Sequence, residues 1–104
     1  MKKNIKIGGS KYSIKQVNLI ERNPDVLGKI IHNRKQIYIK RQNRKENKDT
    51  LYHEIAHGII VELACASIDK NMNIKNIKAL SKLNNNEEFI EYFGRVLQNM
   101  FILK

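Results

Sequence analysis

The segment His53-Glu54-Ile55-Ala56-His57 places two imidazoles and a carboxylate within five residues. On a helix, residues four apart share one face about one turn from each other, so both rings can meet one tetrahedral zinc ion. Glu54 directly follows the first histidine, which sets its carboxylate beside such a metal rather than on it. From there it can accept a proton from zinc-bound water, and the acid so formed can protonate a leaving amine. The chemistry implied is hydrolytic attack on a carbonyl carbon, with His53 and His57 as ligands, Glu54 as the catalytic base and one Zn2+ per chain as cofactor. The ligand types also accept other divalent ions, with zinc preferred.

A catalytic zinc of this kind takes a third protein ligand and keeps one position open. Metzincins place glycine three residues and histidine six residues after the second histidine. Ile60 and Leu63 stand there in this chain, so that class is excluded. His32, the one remaining histidine, falls at an expected hairpin turn and is a minor candidate. A carboxylate is the expected ligand. Glu62 lies about 140° around the helix from His57, on the wrong side, and Asp69 would need a sharp turn straight after the helix. The cluster Glu87, Glu88 and Glu91 near the start of the last helix is the better source, although acidic residues there also suit the helix dipole. Glu87 is favoured, then Glu88, then Glu91. With Glu87 on the metal, Glu91 lies one turn further on, where it can accept from a histidine N–H.

The elements that must position these residues can be read from periodicity. Ile5 and Ile7 alternate with lysines, Gly8-Gly9-Ser10 is turn chemistry, and Tyr12, Ile14 and Val17 follow, which together predict a hairpin. Asn23-Pro24-Asp25 marks a turn. Lys29-Ile30-Ile31 and Gln36-Ile37-Tyr38-Ile39 flank His32–Lys35 as a second hairpin. Residues 41–48 are polar throughout and read as a loop, with Asp49 as the N-cap of a helix over about 50–66. That helix is nearly apolar all round, which predicts burial. Its polar exceptions are His53, Glu54, His57 and Glu62, and polar groups in a buried helix need partners. Residues 69–86 predict a short helix with loop on either side. A last helix over about 86–103 carries Phe89, Ile90, Phe93, Val96, Leu97 and Met100 as its apolar stripe.

The chain of 104 residues fits one domain, 1–104, with no repeat or linker to divide it. Its net charge of +10 is concentrated in 2–15 and 29–48, a balance that favours acidic partners or nucleic acid. The single cysteine, Cys65, permits no internal disulfide. The N-terminus lacks the apolar run of a signal peptide, and no stretch approaches a membrane span. A cytoplasmic location with no membrane partner is the expectation.

The motif Thr50-Leu51-Tyr52-His53-Glu54-Ile55-Ala56-His57-Gly58, preceded by isoleucine-rich hairpin strands, resembles the small phage and prophage zinc metallopeptidases of the ImmA/IrrE type. In that family a glutamate on a later helix completes a gluzincin site, and Asn86–Gly94 is similar to that helix. Aligning Phe93-Gly94 with the family's Phe/Leu-Ala pair places Glu87 on the ligand position. Ile90-Glu91 stands where the family often has Ala-Asn, and Gly94 replaces its alanine. The resemblance covers roughly residues 25–100. It implies an α+β, zincin-like fold: a small antiparallel sheet of 3–4 strands packed on the buried motif helix and a C-terminal helix, with the edge strand, here 36–40, beside the metal and open to a substrate peptide. It also implies hydrolysis of a cytosolic regulatory protein, such as a repressor of a mobile element. The oxyanion-stabilising group is not identified; Tyr52, Tyr92 and Arg95 qualify by residue type.

The competing expectation is a non-catalytic module of the same fold that binds nucleic acid or an acidic protein through its basic N-terminal half. A DNA-linked peptidase of the SprT-like sort would combine both, but the chain has no cysteine-rich zinc ribbon. The intact Glu54 favours hydrolysis, since metal storage needs no base.

Overall fold

Alternation of apolar and polar residues around Gly8-Gly9 folds the start of the chain into a hairpin. Strand β1, Lys3–Ile7, pairs antiparallel with β2, Ser10–Val17. A second antiparallel hairpin joins β3, Gly28–Ile31, to β4, Gln36–Lys40, through the turn 32–35. The computed structural model describes residues 3–69 and 74–100.

The two hairpins dock in a way that their turns do not specify. Strands β2 and β4 run parallel, and the sheet order is β1-β2-β4-β3. The four-stranded sheet is therefore mixed, not antiparallel as expected. The strand 36–40, expected at the edge, lies inside the sheet. Ile37 and Ile39 of β4 are almost wholly buried, and an interior strand is the position that supplies neighbours on both sides. The edge nearest the His-Glu motif is β3.

Helix α1, Arg44–Asp69, begins earlier than expected. Asn43 caps it, its side-chain Oδ1 accepting from the Glu46 N–H at 2.9 Å. Residues 44–48, read as loop, are thus helical, and Asp49 lies inside the helix. Arg, Lys and Glu propagate a helix readily once a cap is in place. Helix α2 spans Ile74–Asn84 and α3 spans Glu87–Met100. Asn86 caps α3, with the Phe89 N–H 3.0 Å from its Oδ1. The expected extension of the last helix beyond Met100 lies outside the described residues.

The middle of α1, residues 51–60, is apolar nearly all round because it is central. The sheet packs on one side of it and α2 and α3 on the other. Tyr52, Ile55, Ala56 and Ile60 join Ile7, Tyr12, Ile14, Ile37 and Ile39 from the sheet and Ile90 and Leu97 from α3 in one core cluster. Two glycines set the distances around the motif. A Cβ on Gly94 would lie 3.2 Å from backbone atoms of Tyr52 and His53, so α3 crosses α1 closely at the first histidine. A Cβ on Gly28 would meet the Thr50 methyl at 2.6 Å and the Glu54 carboxylate at 3.2 Å, so β3 can approach the motif only because it has no side chain there.

Glu62 fastens the sheet to α1. Its Oε1 accepts from the Tyr12 hydroxyl at 2.8 Å and from the Lys35 ammonium at 2.7 Å. The Lys35 hydrogen bond, with that of Tyr12 adding to it, holds the Glu62 carboxyl below its ordinary value of 4.5. A depressed carboxylate pKa stabilises the fold above the unfolded value, and that contribution is lost as pH falls through the folded value. Glu62→Gln is expected to cost about 1–3 kcal/mol at pH 7. Urea titrations at several pH values should show the deficit shrinking below about pH 4.5 and absent at strongly acidic pH.

Candidate metal centre

The N-cap at Asn43 and the central packing of α1 hold His53 and His57 on the helix face turned toward the start of α3. Their rings meet edge to face, with centroids 5.0 Å apart. A short connection, residues 85–86, links α2 to α3 and delivers Glu87 opposite both rings. The Nε2 atom of His53 lies 3.1 Å from Glu87 Oε2, and the Nε2 of His57 lies 3.5 Å from Glu87 Oε1. One ligand atom from each of the three residues falls within 4.8 Å of the others.

These separations fit a metal. Bonds of about 2.0–2.2 Å at tetrahedral angles put neighbouring ligand atoms about 3.4 Å apart. The donor set is also the right chemistry, two neutral imidazoles and a carboxylate. His53, His57 and Glu87 thus lie close enough to hold a metal ion. The side chain of Glu87 is 69% exposed, so the centre opens to solvent on the α3 side.

Outer contacts orient both rings. His57 Nδ1 is 2.8 Å from Asn84 Oδ1. A carbonyl oxygen only accepts, so Nδ1 carries the proton and Nε2 presents its lone pair toward Glu87. His53 Nδ1 lies 3.5 Å from Glu91 Oε2, the longer counterpart of the same arrangement. Glu91 therefore stands beside His53, as its spacing from Glu87 suggested. Glu88 is exposed and is not part of the cluster. Asn84 was not singled out from the sequence. Its signal was the run Asn84-Asn85-Asn86 between two helical patterns, where one amide ends a helix and another begins the next. Asn84→Ala is expected to weaken metal binding about 10–100-fold with the fold intact; competition titration against a chromogenic chelator measures it.

Glu54 is 7% exposed, a buried carboxylate on the turn between the two histidines. Burial pushes its pKa up; His53 and His57 pull it down, and Glu87 raises it further. A carboxyl raised in this way accepts and returns a proton nearer neutrality than a solvated one. It lines an open cleft of about 400 Å³, together with Gly28, Thr50, His53 and Glu91. The edge strand β3 thus forms one wall of the space next to the candidate metal position.

Other candidates fall elsewhere. Tyr52 is buried in the core and Tyr92 is 68% exposed. Arg95 lines a small recess with His53 and Glu91. His32 stands in the β3–β4 turn with a buried Nδ1 that has no hydrogen-bond partner. Burial lowers its pKa, and the neighbouring His57 and Lys35 add to this. It is not part of the three-residue cluster. Among the described residues, no helix is long and apolar enough to cross a membrane. Comparison with family models, curated proteins and solved structures found no match to this chain.

Proposed function

We propose that this protein is a zinc-dependent metallopeptidase that hydrolyses a protein substrate with Glu54 as its base. The observation that carries the reading is the convergence of His53, His57 and Glu87 within 4.8 Å, with buried Glu54 beside them in a solvent-accessible cleft. The motif's resemblance to the ImmA/IrrE type of peptidase supports the same reading, including a regulatory protein of a mobile element as substrate.

A bound zinc supplies Lewis acidity, polarising a carbonyl and acidifying a water. The chain supplies the rest. Glu54 takes the proton of the attacking water on a carboxylate oxygen and returns it to the leaving amide nitrogen. Asn84 keeps the His57 proton on Nδ1, so that Nε2 stays a ligand. The free edge of β3 offers backbone N–H and C=O groups to an extended peptide, which would lie along the cleft as a fifth strand. The absent side chain at Gly28 keeps that strand near Glu54.

The test is incubation of zinc-loaded protein with a random-sequence peptide mixture, read by mass spectrometry. Cleavage products that vanish with 1,10-phenanthroline and return with added zinc are the expected result. Cleavage unaffected by the chelator, or no cleavage of either the mixture or the regulators encoded beside the gene, would overturn it.

A further inference from the structure

The sheet has a second face that no helix covers among the described residues. All helices lie on the side of Tyr12, Ile14, Ile37 and Ile39, since α1 alone contacts the strands substantially and these residues fill its core. Side chains alternate along a strand, so Lys6, Lys11, Lys15, Tyr38, Lys29 and Lys40 stand on the opposite face. The 22 strand residues include no aspartate or glutamate. Five of the chain's 20 basic residues thus share this face, on the far side of the sheet from the candidate metal centre.

The register arranges these groups. Lys15, Tyr38 and Lys29 are direct cross-strand neighbours on β2, β4 and β3, a row about 10 Å wide. Lys6 and Lys11 pair across β1 and β2, about 13 Å further along. Between them runs a polar row of Asn4, Ser13 and Gln36. Two of the lysines have local partners: Lys29 pairs with Glu21, and Lys40 donates to the Pro24 carbonyl at 2.6 Å. Lys6, Lys11 and Lys15 make no ion pair among the described residues. The one aromatic ring, Tyr38, is half-buried at the centre of its lysine row, with its hydroxyl 3.2 Å from Gln36 Oε1.

We propose that this face binds single-stranded nucleic acid, with Lys6, Lys11 and Lys15 on the phosphates and a base stacked on Tyr38. Charge complementarity selects a polyanion, since Lys6, Lys11 and Lys15 stand on strands that carry no carboxylate and make no ion pair among the described residues. A helix-free sheet face with a half-buried ring at the centre of a lysine row selects unpaired bases, because stacking on a side chain needs a base released from a duplex. The surface is independent of the peptidase reading and stands or falls without it.

The experiment is fluorescence anisotropy of the full chain with a labelled mixed-sequence 15-nucleotide DNA strand, across a range of salt. The expected result is binding whose affinity falls with salt, and Lys6→Glu/Lys11→Glu/Lys15→Glu should abolish it. A charge-matched control on the helices, Lys45→Glu/Lys78→Glu/Lys82→Glu, should weaken it much less. Reversing only Lys11 should lower the slope of log K against log salt by roughly 0.7, one phosphate contact. Tyr38→Ala should cost on the order of tenfold and Tyr38→Phe little, as a stacking role requires. Zinc chelation should leave binding unchanged. No binding at low salt, equal loss in the control triple variant, tighter binding to duplex than to single strand, or equal affinity for poly-glutamate would each overturn the proposal. Circular dichroism of the variants separates lost binding from lost fold.

Discussion

Glu54→Gln should retain one zinc per chain and lose cleavage by about 10²–10⁴-fold. The substitution is nearly isosteric, and Glu54 is not one of the three residues whose ligand atoms converge. The amide can neither take a proton from water nor return one to the leaving nitrogen. The loss should therefore fall on kcat, with KM little changed, since the proposed peptide-binding edge of β3 and the three residues that would hold the metal are untouched. Buried neutral groups also cost less than buried carboxylates. Burial already drives the Glu54 pKa up, so the metal-free Gln variant should be no less stable than the parent at neutral pH. Parallel measurements of zinc content, peptide cleavage and thermal unfolding check all three parts. Retained cleavage in a zinc-loaded Gln variant would remove Glu54 from the mechanism.

His57→Ala should abolish stoichiometric zinc. It removes one of two imidazole ligands and at the same time strands Asn84, whose Oδ1 loses the ring it orients. The remaining pair, His53 and Glu87, offers two ligand atoms, one fewer than the three protein ligands of a catalytic zinc site. The second readout is thermodynamic. A ligand that binds only the folded state at 100 times its Kd stabilises by about 2.7 kcal/mol. For a domain of this size that is an upward shift of roughly 10–20 °C in Tm. The parent should show that shift with zinc and His57→Ala should show none. A variant that keeps one zinc per chain, or a parent whose Tm ignores zinc, would refute the assignment of the centre.

Several features of the fold were legible because they are local. The two hairpins follow from near-alternation around Gly8-Gly9 and from two apolar runs flanking the polar turn 32–35, and both pair antiparallel. The burial of α1 followed from its apolar circumference. Helix α1 starts well before the expected cap at Asp49, because Asn43 is the residue that caps it. Asn43 and Asp49 both have the right chemistry, and only the hydrogen bond from the Glu46 N–H distinguishes them. The parallel pairing of β2 with β4 was not legible either. A turn fixes the register within its own hairpin, whereas the docking of two hairpins depends on which strand gains most from burial on both sides. Ile37 and Ile39 decided that, and with it moved the edge of the sheet to β3.

The sequence by itself determined the pair His53 and His57 and the position of Glu54 between them, since helical spacing alone places those three groups on adjoining faces. It also narrowed the third carboxylate to three glutamates on one helix. The tertiary structure brings Glu87, and not Glu88 or Glu91, into the cluster with both imidazoles. The choice depends on how α3 crosses α1, and that crossing is set at Gly94, where a missing side chain lets the helices approach and turns Glu87 toward both Nε2 atoms. The same is true of Asn84 and of Gly28. Each acts on the motif from another element, through a contact that has no counterpart in sequence spacing because packing, not periodicity, creates it.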